Sequence, residues 1–187
     1  MITAVGDGIV PRPSRIDVPA GALVVLIGAA ASGKSTFAAR YFAADCVVSS
    51  DRLRVEASRP ISDDMVFADL HRQVQARLAA GLVAVVDATN IDWMWRAALI
   101  ADARRYGSPA IAIVFNLPLD VCLARNAARS RKVPAPVIRR QVADVARGIQ
   151  RLDLEGFAAV HIMRSAADVD AVRVEMEEGP VTRALTS

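Results

Sequence analysis

Short apolar runs recur along the chain, each followed by a stretch in which apolar and polar residues mix at helical spacing. The runs are ALVVLI at 22–27, CVVSS at 46–50, GLVAVVD at 81–87, AIAIVFNL at 110–117 and AVHIMRS at 159–165. Runs without in–out alternation read as strands buried on both faces, as in a parallel sheet covered by helices. Helices are predicted from Lys34 to about Phe42, from Asp63 to about Ala80, over WMWRAALIADARRYG, over 118–128, from Val137 to about Arg151, and from Ala166 onward. In the second of these, Met65, Val66, Leu70, Val74 and Leu78 fall near one face, with Asp63 as the expected cap. Gly107 is expected to close the third. The first 20 residues, rich in Gly and Pro, predict a loose start with one short edge strand, and AVHIMRS is expected to be the last strand. A flexible tail is expected over about 177–187. Strand–helix alternation over the whole length predicts an α/β fold with a mostly parallel sheet flanked by helices, formed by 1–187 as one domain.

Composition narrows this picture only a little. The 187 residues are 53% hydrophobic and 5% aromatic, so the core must be built from Ala, Val, Leu and Ile. The net charge of +3 is compatible with a polyanionic partner without requiring one. Cys46 and Cys122 lie in apolar surroundings with no ligand spacing and read as buried thiols. The longest apolar stretch, ALVVLIGAAA, is too short to cross a bilayer and runs into a polar loop. No membrane association is expected, and a cytoplasmic location is. The apolar, Ala-rich content is compatible with a homodimer.

The polar loop carries the strongest chemical signal. Gly28 is followed by four residues and then by Gly33-Lys34-Ser35, the pattern G-x-x-x-x-G-K-[ST] between a strand and a helix. Such a loop turns backbone N–H groups toward phosphate oxygens at a helix N-terminus. Gly28, Ser32, Gly33, Lys34, Ser35 and Thr36 are therefore the candidate phosphate-binding residues. Lys34 would reach the β- and γ-phosphates of ATP or another nucleoside triphosphate, and Ser35 would hold Mg²⁺. The motif alone does not separate kinases from motors or switches.

Three further features bear on that choice. In VVSSDRLR, Asp51 follows the second strand at the sheet edge where α/β proteins gather ligands, and Arg54 lies one helical turn on. Spacing leaves two readings open: a base and its partner facing a substrate hydroxyl, or a helix-capping Asp beside a solvated Arg. In VVDATN, Asp87 ends an apolar strand, where a carboxylate would hold Mg²⁺ or, alternatively, cap the next helix. From Arg125 to Arg151 the chain is strongly basic. Arg125 and Arg129 share a helical face, and Pro134 and Pro136 break the run as a hinged lid over about 125–136 would be broken. A solvated basic face is the alternative.

Taken together, LVVLIG, GKSTFA, VVSSDRLR, LVAVVDATN, AIVFNLPLDVCLARN, VIRRQ and EGFAAVHI resemble, in order, the 5′-kinase module of bacterial polynucleotide kinase-phosphatases. The resemblance spans about residues 22–165. It implies a P-loop kinase fold with a short helical lid. The implied activity is transfer of the γ-phosphate of ATP to the 5′-hydroxyl end of RNA or DNA, in nucleic-acid end repair. It makes Asp51 the general base, Arg54 its positioner or a grip on substrate phosphate, and Arg125 and Arg129 lid arginines on the donor. No phosphatase or ligase module follows, so it implies a stand-alone kinase or one module of a longer parent chain. VEASRPISDD is shorter than the segment the resemblance leads one to expect for acceptor contacts, and a shortened lid, ARSRKVPAP, leaves the roles of Arg131 and Lys132 open.

A small-molecule kinase of the same fold, acting on a sugar, a shikimate-like acid, a nucleoside or an antibiotic, is the alternative. A nucleotide-dependent switch would have no use for an acid at Asp51. Of Trp93 and Trp95, two apart on a helix, one is expected to pack and the other to cover the surface, with base stacking by one as an alternative. His71 reads as structural, His161 has no partner motif, Arg52 is expected to face solvent, and Asn90 either touches substrate or caps a helix.

Overall fold

The structure is a computed structural model and describes residues 15–57 and 61–177. Residues 1–14, 58–60 and 178–187, on which most of the loose N-terminal segment and the expected tail fall, lie outside the described residues. In chain order the strands are β1 (Arg15–Val18), β2 (Leu23–Gly28), β3 (Val47–Ser49), β4 (Ala84–Asp87), β5 (Ala110–Phe115), β6 (Ala159–Met163) and β7 (Arg173–Met176). The helices are α1 (Lys34–Tyr41), α2 (Ser50–Glu56), α3 (Asp63–Ala79), α4 (Trp93–Arg105), α5 (Leu119–Ala127), α6 (Ala135–Gly148), α7 (Leu152–Glu155) and α8 (Ala166–Ala171).

Five strands form a parallel sheet in the order β3-β4-β2-β5-β6. All six residues of β2 are buried, and they alternate between two cores. Leu23, Val25 and Ile27 meet α3 and α4 on one face. Val24 and Leu26 meet α1, α5 and the start of α6 on the other. Such burial is what an unbroken apolar run predicts.

Helix α3 carries the expected stripe: Val66, Leu70, Val74 and Leu78 are buried, each contributing roughly 1.5–3 kcal/mol on burial. Met65 does not join them and is half exposed. The cap of α3 is Ser62, whose hydroxyl accepts from the Met65 N–H, and not Asp63, which lies inside the first turn. A hydroxyl one residue earlier reaches the N3 donor and leaves Asp63 to act elsewhere.

The N-terminal strand and the chain end correct the sequence reading together. β1 is not an edge of the main sheet; it pairs in parallel with β7, which follows the strand expected to be last. β7 is only four residues long and mostly exposed, so it offered no apolar run to read. Cys122 is buried as expected, whereas Cys46 is half-buried in a short 3₁₀ turn before β3, with its sulfur 3.4 Å from Arg77. Arg52 is exposed as expected, and its guanidinium also donates to the carbonyls of Val47 and Ala44, beside the entry to β3.

Asn90, at φ 48, is buried and neither touches the cavity described below nor caps a helix. Its amide donates to Leu26 O at 2.8 Å and Val86 O at 3.3 Å, bracing the ends of β2 and β4. Arg96 in turn donates to Asn90 O at 2.9 Å and forms a two-pronged pair with Glu155 at 2.7 and 2.5 Å, tying α4 to α7. His71 is structural as expected, with its Nδ1 2.5 Å from Asp102 across α3 and α4.

Candidate active site

Parallel strands bring their C-terminal ends to one edge, and ligands gather there. In register, Leu26 lies beside Asp87, and Asp87 beside Ser49. The ends of β2, β4 and β3 therefore deliver the Gly28 loop, Asp87 and the start of α2 to one place.

The loop between β2 and α1 is shaped by close packing and by left-handed residues. At Gly28 a Cβ would stand 2.8 Å from Ser32 Oγ and 2.9 Å from Phe115 Cβ, the residue paired with it on β5. Gly28→Ala is therefore expected to cost about 1–3 kcal/mol, seen as a lower urea midpoint. An unchanged midpoint would mean that β2 and β5 part at this end without strain. Ala31 at φ 61 and Gly33 at φ 104 turn the loop into α1, which has no side-chain cap. That leaves first-turn N–H groups for an anion.

Lys34 is buried and folds back over the loop. Its ammonium donates to Gly28 O at 2.9 Å and Ala29 O at 2.8 Å, with Ser32 Oγ at 3.5 Å. Burial pushes its pKa down to about 8, against the favourable charge of nearby Asp87. Arg125 Nη1 donates to Ser32 O at 2.9 Å, placing a second cation over the loop. Gly33 is crowded by the same guanidinium, 3.0 Å from where a Cβ would be.

A cavity of about 760 Å³ opens beside the loop, within the size range of small-molecule sites, about 300–1,000 Å³. Of the residues singled out in the sequence, Gly33, Lys34, Ser35, Thr36, Asp51, Arg54, Asp87, Arg125 and Arg129 line it. Gly28 and Ser32 do not. Ser32 is fully buried, and its hydroxyl and carbonyl help to shape the loop.

Helix α2 starts at Ser50 and is capped by Ser49, whose hydroxyl accepts from the Arg52 N–H. Asp51 is thus in the first turn and is not the cap, so that alternative falls. Its side chain is 70% exposed. Arg54 Nη1 lies 4.0 Å from Asp51, donates to Ser50 O at 3.2 Å, and Arg54 Nη2 holds Asp63 at 2.7 Å. Asp87 is buried with Ser49 Oγ 3.5 Å away; the cap of α4 is Asp92, so Asp87 is not a cap either.

The basic segment falls on the end of α5, the loop after it and α6. α5 ends at Ala127, and the following loop is closed by Asn126, which both donates to Val133 O and accepts from Val133 N at 2.9 Å. Arg131 and Lys132 are exposed on this loop and do not line the cavity. α6 begins at Ala135, two residues earlier than predicted, after Pro134.

Cavity residues that the sequence did not single out include Arg40, Phe67, Thr89, Gln141 and Asp170. Gln141 reaches across from α6 to accept from the Ala30 N–H at 2.9 Å. Only VVDATN could have suggested Thr89, two places after Asp87.

Among the described residues no cluster of three His, Cys, Asp or Glu could hold a metal alone. Mg²⁺ commonly takes one or two protein oxygens beside substrate phosphates. Ser35 and Asp87 suit that donor set.

A parallel sheet flanked by helices, with a glycine–lysine loop at the exit of its middle strand, defines an α/β P-loop fold. Residues 23–152 match the family model described as an AAA domain, and the chain belongs to that family. No curated protein matches it. Among solved structures, a chain of the Pnkp1/Rnl/Hen1 RNA repair complex is similar, with a TM-score of 0.61 at 22% identity, over 73% of this chain and 46% of that one. This chain thus spans less than half of that protein. A sugar kinase from Janibacter sp. HTCC2649 has a TM-score of 0.53 at 20% identity, over 76% of this chain and 84% of that one. Kti12 from Chaetomium thermophilum, solved with ADP-AlF3, has a TM-score of 0.59 at 16% identity, over 80% and 94%. At these identities the likeness is one of fold. No helix among the described residues is long and apolar enough to cross a membrane.

Proposed function

We propose that the chain is an ATP-dependent polynucleotide 5′-hydroxyl kinase. The observation that carries this reading is the joint presence of Asp51 and Lys34 on one cavity, together with Arg40, Arg54, Arg125 and Arg129. A phosphate-binding loop facing a reachable carboxylate suits phosphoryl transfer to a hydroxyl, and the surplus of cations suits an acceptor that carries phosphates of its own. The likeness to a chain of an RNA repair complex supports the same reading.

In this proposal the loop N–H groups and Lys34 hold the β- and γ-phosphates. Asp51 accepts the proton of the 5′-hydroxyl as its oxygen bonds to the γ-phosphorus. The bond to the β–γ bridging oxygen breaks, and ADP leaves with that electron pair. Arg54 positions Asp51, while Arg125 and Arg129 offset charge on the transferring group. Ser35 and Asp87 would hold Mg²⁺, which supplies further neutralisation of phosphate charge when bound. The loop closed by Asn126 and Val133 carries Arg129 over the donor. The site belongs to this one chain, and modules for end repair on a longer parent chain or a homodimer are compatible with it.

A second reading, a small-molecule kinase, is favoured by one observation: this chain spans 84% of the similar sugar kinase and 87% of a similar gluconokinase from Sinorhizobium meliloti 1021. Salt separates the two. For a polymeric acceptor, log KM of the oligonucleotide is expected to rise linearly with log salt, each phosphate contact adding about 0.7 to the slope on a single strand. A KM independent of salt would contradict a polymer path and favour the small acceptor.

A further inference from the structure

Phe67 and Trp95 form a ring pair that belongs to neither hydrophobic core. Their centroids are 3.8 Å apart and the planes 14° from parallel, so Trp95 on α4 covers one face of Phe67 on α3. The other ring–ring contacts among the described residues, Phe37 with Tyr41, Phe42 and Phe115, belong to the core on the far side of the sheet. Phe67 differs: it is half-buried and lines the active-site cavity, which Trp95 does not. It also sits one helical turn after Asp63, which holds Arg54, which in turn approaches Asp51. A ring backed on one face by Trp95 therefore lines the same cavity as Asp51 and Arg54 of α2.

We propose that Phe67, braced by Trp95, is the stacking platform for the 5′-terminal nucleobase of the acceptor, and so determines acceptor specificity. This rests on the proposed polynucleotide kinase activity. A ring already stacked on one face loses little freedom when it takes a second planar partner on the other, and base stacking tolerates any base. Such a platform would suit a purine or pyrimidine end and would give an open-chain polyol acceptor nothing to stack on.

The test pairs a substitution with a substrate lacking the base. Phe67→Ala is expected to raise the KM for a 5′-hydroxyl oligonucleotide about 5- to 150-fold, the range of one lost stacking contact. Saturated turnover and ATP affinity should stay near wild type, and Phe67→Tyr should restore most of the KM. An oligonucleotide with an abasic 5′-terminal nucleotide should suffer the same rise with the wild-type protein and no further rise with Phe67→Ala. Equal KM values for base-bearing and abasic ends with active wild-type protein would overturn the platform and leave the kinase reading standing.

A binding measurement keeps the two claims separate. The chain has two tryptophans, so Trp93→Phe leaves Trp95 as the only indole. Trp93 is 63% exposed and lies outside the cavity lining, so the substitution should be silent. Titrating the base-bearing oligonucleotide should change Trp95 emission saturably, and the abasic one should not. That base-dependent change in a protein that phosphorylates no oligonucleotide would support the platform while overturning the kinase reading. No emission change together with no phosphorylation would overturn both.

Discussion

Asp51→Ala should lower turnover of a 5′-hydroxyl acceptor by about 10²- to 10⁴-fold, the usual contribution of a positioned general base, while ATP binds as before. The expectation rests on where the side chain is. Asp51 sits in the first turn of α2, is not the cap, and is 70% exposed, so removing it opens no core and frees no helix donor. It is not among the groups that hydrogen-bond Lys34 in the loop, although its charge acts weakly on that ammonium. Truncation should therefore leave the melting temperature and the ATP dissociation constant nearly unchanged and appear in kcat. Arg54→Ala should give a smaller loss, because it removes the positioner and leaves the base. An Asp51→Ala protein with wild-type kcat would show that the proton goes elsewhere. A large loss of ATP affinity would show that Asp51 belongs to the donor side.

Lys34→Met should reduce transfer by at least about 10²- to 10³-fold, in line with removing one preorganised charge from a developing anion, and should weaken ATP binding as well. Here stability and function should move in opposite directions. The folded protein holds this ammonium at a pKa of about 8, below its ordinary 10.5, because burial disfavours the charge. The unfolded chain therefore binds more protons between pH 8 and 10.5, and stability gains from this group as pH rises through that window. Removing the charge should leave the melting temperature at pH 7 unchanged or raised. In the wild type, ATP affinity should fall as pH rises above about 8 and the free ammonium loses its proton. An ATP affinity flat from pH 7 to 10 would contradict the role given to Lys34.

The sheet was legible because its central strands are buried on both faces and so are apolar without interruption, as in Leu23–Ile27 and Ala110–Phe115. β7 was not, since a short exposed strand, paired among the described residues with β1 alone, has no reason to be apolar. The donor half of the candidate site was legible because a phosphate loop needs its residues at fixed local spacing, although Gly28 and Ser32 do not line the cavity. Asp51 and Arg54 were found, but whether they capped a helix depended on Ser49, which spacing could not decide. The remaining features depend on contacts distant in sequence. Gln141 meets Ala30 across 111 residues, and Phe67 meets Trp95 from a neighbouring helix. Neither pair has a local pattern, because the fold alone brings its members together.

The most direct test is transfer of labelled γ-phosphate from ATP to a 5′-hydroxyl oligonucleotide, run beside a panel of sugars, nucleosides and other small alcohols and followed by digestion to locate the label. The expected result is label on the oligonucleotide alone, recovered entirely in its 5′-terminal nucleotide and absent when that end already carries phosphate. Label on a member of the small-molecule panel, with none on any oligonucleotide at micromolar concentration, would contradict it.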